Sequence, residues 1–328
     1  MNTNSLISVV VIGHNEGARL SRCLQSVRAS TYQPIELIYV DSFSSDDSIA
    51  RAQTIADQIF SAHTRGAAAA RNTGLMHAQG HWVMFLDGDT ELDPDFLLIA
   101  LQQLKHQSTL ACVWGHRVER APEQSIYVQV LDLDWRYRPG ETEFCGGDAL
   151  FRRAALSEVN GFNPLLLAGE EPEMCHRLRQ NGWRILHLDT PMTRHDLAIT
   201  QFTQYWQRTS RAGYAYAAVS ASSRSFWANE VRHNLRQSAI LIALLTLLAA
   251  GVLMHAWLAL AAVSLLAALA LRSSWRARWR SAHLPTLLMY GLHSWFAQIP
   301  ISVGIYRYYR DQSAQKPASF GNYKEAKK

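Results

Sequence analysis

Three short apolar runs alternate with stretches of helical pattern in the first part of the chain, and this alternation limits the folds open to it. Leu6 to Ile12 and Ile35 to Val40 are rich in β-branched residues, and Trp82 to Leu86 is wholly apolar. Continuous apolar runs of this length suit strands buried on both faces of a parallel sheet. Between them, Glu16 to Ala29 carries Leu20, Leu24 and Val27 on one helical face, and Ser48 to Gln58 and Ala67 to Ala78 also have helical patterns. Asp93-Pro94 has the form of an N-cap followed by proline at the first helical position. The βαβα order predicts an α/β fold: a Rossmann-like, doubly wound, mostly parallel sheet with flanking helices. From about 110 to 200 the pattern is mixed. Strands are expected at Leu110 to Val118 and Trp183 to Leu188, and helices at Phe151 to Val159 and Glu171 to Asn181, the last stopped by Gly182.

Open α/β sheets bind ligands at the carboxyl ends of their strands. Asp41, Asp87 and Asp89 are expected there. In His81-Trp82-Val83-Met84-Phe85-Leu86-Asp87-Gly88-Asp89-Thr90 an apolar strand ends in two carboxylates separated by one glycine. Two hard oxygen ligands at a strand end suit Mg²⁺ or Mn²⁺ carrying a diphosphate, and the glycine admits a close backbone or phosphate.

Charge divides the chain. Residues 1–206 hold 17 Lys and Arg against 24 Asp and Glu, whereas residues 207–328 hold 15 against 3. The basic half flanks apolar runs, so the expected partner is a membrane with anionic head groups, and no nucleic-acid partner is expected. Gln237 to Leu271 is a run of 35 residues without formal charge. One span takes roughly 20 residues, so the run is read as a two-span hairpin turning near Gly251 and His255. Arginines 232 and 236 before it, and 272, 276, 278 and 280 after it, put both ends in the cytoplasm. Leu284 to Tyr306 is interrupted by Pro285, His293, Gln298 and Pro300 and reads as an interfacial helix, with a third span as the alternative. The expected organisation is a catalytic domain at 1–206, a juxtamembrane linker at 207–236, the hairpin at 237–271, a basic loop with an interfacial or third helix at 272–310, and a disordered tail at 311–328. No signal peptide is apparent before Gly13, and the four scattered cysteines read as reduced thiols.

Six segments in order resemble the family 2 glycosyltransferases, which are inverting enzymes with the GT-A fold. They are Gly13-His14-Asn15-Glu16, Asp41-Ser42-Phe43-Ser44-Ser45-Asp46-Asp47-Ser48, Ala70-Arg71-Asn72-Thr73-Gly74, Asp87-Gly88-Asp89, Gly146-Gly147-Asp148 with the residues after it, and Gly169-Glu170-Glu171-Pro172-Glu173. The resemblance covers roughly residues 6–200. It implies that His14, Glu16, Asp41, Arg71 and Asp87 contact a nucleotide-sugar donor. It further implies that Gly146, Gly147 and Asp148 lie on the acceptor side, and that Asp87, Asp89 and His195 hold Mn²⁺ or Mg²⁺. Arg208 is a further candidate for the diphosphate, although the sequence around it departs from the motif of processive members.

The residues fit that chemistry independently. A departing diphosphate needs positive charge, and the acceptor hydroxyl needs a base. Glu171, or Glu170 beside it, is the candidate base. Glu173 is read as an i,i+4 partner of Arg177. Pro172 is expected to hold Glu171 outside helical geometry. The implied protein is an inverting, cytoplasm-facing transferase on the inner membrane. Its acceptor is expected to be lipid-linked or saccharide, in the assembly of a surface polysaccharide. The competing readings are a nucleotidyltransferase that makes the sugar nucleotide and a non-catalytic nucleotide-sugar-binding scaffold.

Overall fold

The computed structural model describes residues 5–223 and 225–315. The chain begins with β1 (Ile7–Gly13), α1 (Ala18–Arg28), β2 (Ile35–Asp41), α2 (Ser48–Gln53), β3 (Gln58–Ser61), α3 (Ala67–His77) and β4 (Trp82–Asp87). It continues with β5 (Thr90–Leu92), α4 (Phe96–His106), β6 (Leu110–Glu119), α5 (Ile126–Asp134), β7 (Gly140–Glu141), β8 (Ala149–Arg152), α6 (Arg153–Glu158), α7 (Glu170–Gln180) and β9 (Arg184–His195). Five helices close it: α8 (Phe202–Ser222), α9 (Ala228–Met254), α10 (Ala256–Arg276), α11 (Leu284–Phe296) and α12 (Gln298–Ser313).

These elements form two compact units. The first comprises the chain up to Ala121 together with Trp135–Leu197; the second comprises Pro122–Asp134 together with the chain from Ala198 onward. Helix α5 therefore belongs with the C-terminal helices although it lies between two strands of the first unit. The boundary expected at 206 falls inside α8.

The first unit is built on a nine-stranded sheet of order β3-β2-β1-β4-β8-β6-β9-β5, with β7 on β9. Its first half, β3-β2-β1-β4, is parallel throughout. Beyond β4 it is mixed: β8 runs antiparallel to both β4 and β6, β6 and β9 are parallel, and β5 and β7 are antiparallel to β9. Every residue of β1 is buried, as its uninterrupted apolar run requires. Helix α1 turns Leu20, Cys23, Leu24 and Val27 into the core, the spacing of one helical stripe. All four cysteines are buried free thiols.

Several local expectations are corrected. The stretch from Ser48 is a helix only as far as Gln53, and Gln58 opens the edge strand β3. The helix after β5 starts at Phe96 with Asp95 as N-cap. Asp93 instead accepts the Asp95 amide on its side chain, at 3.1 Å, in an Asx turn one step earlier. Phe151 is a strand residue, and the helix after it starts at Arg153. Glu171 is helical, the second residue of α7. Pro172 fits there because first-turn amides have no intrahelical acceptor to lose. The stop at Gly182 is as expected, with φ +84° and its amide on the Arg179 carbonyl at 3.0 Å.

The second unit is helical. Helices α8 and α12 cross at backbone contact: a Cβ on Gly213 would lie 1.9 Å from the Ile301 carbonyl oxygen, and one on Gly304 1.9 Å from that of Ser210. Helices α9 and α10 meet at His255, and Gly251 makes room for their approach, since a Cβ there would lie 2.2 Å from the Ala259 nitrogen. Among the described residues these are the two helices long and apolar enough to cross a membrane, at 27 and 21 residues. The stretch read as an interfacial helix or third span is divided into α11 and α12, of 13 and 16 residues. Helix α5 is tied to α11 by Tyr290, which donates to Asp134 at 2.8 Å, and by His293, 3.4 Å from the same carboxylate. Of the tail expected at 311–328, residues 311–313 complete α12 and residues 316–328 lie outside the described residues.

Candidate active site

Strand register brings the site together. Gly13 pairs with Asp41 across β1 and β2, and Ile12 with Asp87 across β1 and β4, so Gly13, Asp41 and Asp87 stand side by side at the carboxyl edge of the parallel half. His14 donates from Nδ1 to the Ser42 carbonyl at 2.8 Å. Asp41 is buried and accepts from the Tyr39 hydroxyl and the Ser44 amide, both at 2.9 Å. Burial, together with the Asp41 charge, holds the Tyr39 phenol protonated well beyond its ordinary range. Glu16 is buried with its carboxylate on Arg19 at 3.0 Å. It packs behind the Asp87-Gly88 turn, where a Cβ on Gly88 would lie 3.2 Å from its Cγ.

Arg71, on α3, is the hub of the site. It is 2 % exposed, and its guanidinium lies 2.8 Å from Asp87 Oδ1, 3.0 Å from Glu170 Oε1 and 2.8 Å from Glu171 Oε1. Burial opposes its charge, but the carboxylates of Glu171, Asp87 and Glu170 outweigh that cost and keep it cationic. Burial, reinforced by the neighbouring Glu170, pushes the Glu171 carboxyl up to about 7. Gly147 makes this packing possible: a Cβ there would lie 2.7 Å from Arg71 Nη2 and 2.8 Å from Asp87 Oδ2. Gly146 is less constrained, with the Trp135 ring at 3.5 Å from its notional Cβ. Asn72 clamps the loop before α7 through two hydrogen bonds to the Phe162 backbone, at 2.7 and 2.9 Å. Glu173 forms its expected pair with Arg177 at 2.8 Å.

Asp148, expected on the acceptor side, is buried behind Asp87. It accepts the Asp87 amide at 3.1 Å and the Thr193 hydroxyl at 2.8 Å. Burial raises its pKa against the opposing pull of Arg117. Asp89 Oδ2 is 3.0 Å from His195 Nε2, and His195 Nδ1 is 2.6 Å from Glu119 Oε1. Burial and Arg117 work against charge on His195, but the two carboxylates prevail and its pKa is raised.

Arg117 and Glu119 were not singled out from the sequence. They sit two apart at the end of β6 and so share a face. Register sets Glu119 beside His195. The buried guanidinium of Arg117 lies 4.0 Å from Asp87 Oδ2 and 3.9 Å from Asp148 Oδ2, stacked 4.6 Å from the Trp135 ring centroid. The available signal was a pair of opposite charges terminating an apolar strand.

The carboxylates of Asp87 and Asp89 have the hardness that Mg²⁺ or Mn²⁺ prefers, and His195 would add a softer nitrogen donor. As folded, however, Asp87 is bonded to Arg71 and Asp89 to His195, and among the described residues no three such groups converge as a ready cation site. Of the two aspartates Asp87 is the more open to a ligand, its side chain 32 % exposed against 1 % for Asp89. Arg208 lies on α8 in the second unit and is half-buried.

The Glycosyl transferase family 2 pattern matches residues 8–159. Glycosyltransferase GlyG of Streptococcus pneumoniae is 33 % identical over 138 residues, covering 40 % of this chain and 46 % of that protein. The pre-mycofactocin glycosyltransferase of Mycobacterium tuberculosis is 26 % identical over 205 residues, covering 58 % and 42 %. The chain thus spans less than half the length of these curated relatives. In fold it is similar to the mannosyltransferase PcManGT of Pyrobaculum calidifontis, solved with GDP-Man and Mn²⁺, at a TM-score of 0.63 and 19 % identity over 95 % of this chain and 89 % of that one. The sheet order, the acidic strand ends and the sequence match agree: the chain carries a glycosyl transferase family 2 domain built on the GT-A fold.

Proposed function

We propose that the protein is an inverting glycosyltransferase that moves a sugar from a nucleotide-diphosphate sugar to an acceptor hydroxyl. The observation that carries this reading is Arg71. One buried cation joins the strand-end carboxylate Asp87 to the helix-start carboxylates Glu170 and Glu171. A donor-side group and a candidate base are thereby fixed to one rigid centre, and such positioning supplies much of the rate in a displacement reaction.

Glu171 is the base in this scheme. A carboxyl raised to about 7 is deprotonated in part at neutral pH, yet basic enough to take a proton from a hydroxyl as the reaction proceeds. The acceptor oxygen bonds to the anomeric carbon as that carbon's bond to the diphosphate oxygen breaks, and the hydroxyl proton passes to Glu171. A single displacement of this kind inverts the anomeric centre. Glu170, Arg71 and Asp148 position the reacting groups, Asp148 by holding the Asp87 amide. Asp87 and Asp89, with His195 behind them, would hold Mn²⁺ or Mg²⁺. When bound, that cation neutralises charge developing on the departing diphosphate. The Pyrobaculum relative, solved with GDP-Man and Mn²⁺, supports a nucleotide sugar and a divalent cation as the partners here.

The two long apolar helices α9 and α10 support a membrane location. We read them as a membrane hairpin with both ends in the cytoplasm, in keeping with the arginines at each end of the uncharged run. A transferase so anchored meets lipid-linked acceptors, and we assign it to the assembly of a surface glycan on the inner membrane. Arg208, in the second unit, is a candidate contact for the donor diphosphate or for membrane phosphates.

The test is transfer by the full chain in detergent, with UDP-, GDP- and dTDP-sugars, Mn²⁺ or Mg²⁺, and polyprenyl-phosphate or saccharide acceptors. Release of one nucleoside diphosphate, abolished in Glu171→Gln while donor binding persists, is the expected result. Unchanged turnover in that variant would remove Glu171 from its role. Absence of donor binding by the wild type would overturn the assignment as a whole.

A further inference from the structure

Phe43 combines three properties that rarely coincide. Its backbone is left-handed, at φ +63°, a region that costs any residue with a Cβ and costs a bulky one most. Its residue is 46 % exposed, so the ring gains little from burial. The guanidinium carbon of Arg65 lies 5.6 Å from the ring centroid. Glycine would hold the same backbone without penalty.

The surroundings fix this conformation firmly. Ser42 is held on both sides, its carbonyl by His14 Nδ1 at 2.8 Å and its hydroxyl by the Gly66 amide at 3.4 Å. The Ser44 amide donates to Asp41 at 2.9 Å, and the Ser45 amide to Asn15 at 2.7 Å. The loop is thus braced on each side of Phe43 while the ring itself projects outward. Its position is informative as well. Asp41 pairs with Gly13 of β1 and with Ser61 of β3, so the loop caps the carboxyl ends of the parallel strands, where α/β sheets receive nucleotides.

We propose that Phe43, backed by Arg65, is the stacking platform for the nucleobase of the donor. Every base has a π-face, and a flat exposed ring with a cation on one side offers the other side for stacking. The strain at Phe43 is retained because it aims the ring. This inference deepens the transferase reading and rests on it. It assigns to Phe43 the binding of the nucleoside part of the donor, leaving the diphosphate to the Asp87 centre.

The test uses the full chain in detergent micelles and measures affinity for UDP, GDP, dTDP and inorganic pyrophosphate by calorimetry, in wild type, Phe43→Gly and Phe43→Trp. Base–aromatic stacking predicts that Phe43→Gly weakens the preferred nucleoside diphosphate about tenfold to a hundredfold, leaves pyrophosphate within about twofold, and melts no lower than wild type because glycine relieves the left-handed backbone. Phe43→Trp keeps the affinity. A Phe43→Gly protein that binds the nucleoside diphosphate as wild type does would overturn the platform while leaving the transferase reading intact. Equal loss of nucleoside diphosphate and pyrophosphate, accompanied by a lower melting temperature, would show a structural role instead and overturn it too. A wild type that binds none of the three nucleotides would overturn the transferase reading, and the platform with it.

Discussion

Glu171 sits 2.8 Å from Arg71, against the guanidinium whose other nitrogen holds Asp87. The two ends of the proposed reaction are thus coupled through one side chain. Replacing Arg71 with Met leaves Asp87, Glu170 and Glu171 facing one another in a largely buried site. Breaking a buried ion pair by removing one partner costs about 3–5 kcal/mol, so the variant is expected to melt well below wild type and to lose turnover. Thermal unfolding in detergent and a donor-release assay measure the two effects. Arg71→Lys restores one charge without the fork that spans both partners, and it is expected to recover stability more than activity.

The pH profile should carry the signature of Glu171. As a base it acts only when deprotonated, so kcat/KM is expected to rise through about pH 7 and to fall tenfold for each pH unit below it. Stability runs the other way. A carboxyl whose pKa is higher in the folded state than in the unfolded chain binds more protons when folded, so its contribution is lost as pH rises from its ordinary range through about 7. Glu171→Gln is therefore expected to be inactive and yet to melt higher than wild type at pH 8, with the gap closing below pH 5. Melting curves across that range would decide it.

Gly147 offers a test of packing at the site. A methyl group there would lie 2.8 Å from Asp87 Oδ2 and 2.7 Å from Arg71 Nη2. Gly147→Ala is expected to lower kcat at least tenfold, because misplacement of catalytic groups by about 1 Å costs on that order or more. The melting temperature should change far less than in Arg71→Met.

Metal binding should depend on nucleotide. In the free protein Asp87 is bonded to Arg71 and Asp89 to His195, so a cation must displace these partners. A diphosphate brings oxygen ligands of its own. Mn²⁺ titrated into the protein alone is expected to bind weakly, and at least tenfold more tightly once the cognate nucleoside diphosphate is present. Electron paramagnetic resonance of free Mn²⁺ reads this without turnover. Asp89→Asn should reduce the gain.

In the second unit, Gly304→Ala tests the crossing of α8 and α12. Its Cβ would lie 1.9 Å from the Ser210 carbonyl oxygen, and overpacking of this kind costs about 1–3 kcal/mol. A lower melting temperature in detergent, with the Arg71 centre unaltered, is the expected outcome.

Strands β1, β2 and β4 of the parallel half were legible because they are short and apolar, and β2 and β4 end in acidic residues, so periodicity and chemistry agreed; the edge strand β3, only four residues long, was not. The carboxylates at those ends, and the glutamates at the start of α7, were legible for the same reason. What escaped depends on non-local register. Glu119 becomes a partner of His195 only when β6 pairs with β9, and a single strand does not announce its neighbour. The resemblance set Asp148 on the acceptor side, and its partners Asp87 and Thr193 lie 61 and 45 residues away in sequence, out of reach of a local reading. Pro172 misled in the opposite direction: local sterics suggested a break, but the first turn of a helix tolerates what its interior does not.

Helix α5 gives the order of synthesis a structural consequence. Leu133 packs with Ala277 and Leu287, and Asp134 waits 156 residues for Tyr290, so this end of the helix leaves the ribosome before its partners exist. Each unit is also assembled from separate stretches of chain. Cutting the protein after Leu197 would therefore not release a clean soluble enzyme. It would strand an apolar helix without its partners on α11, and such a fragment is expected to aggregate or to recruit chaperones, whereas the full chain supplies those partners once α11 has been made.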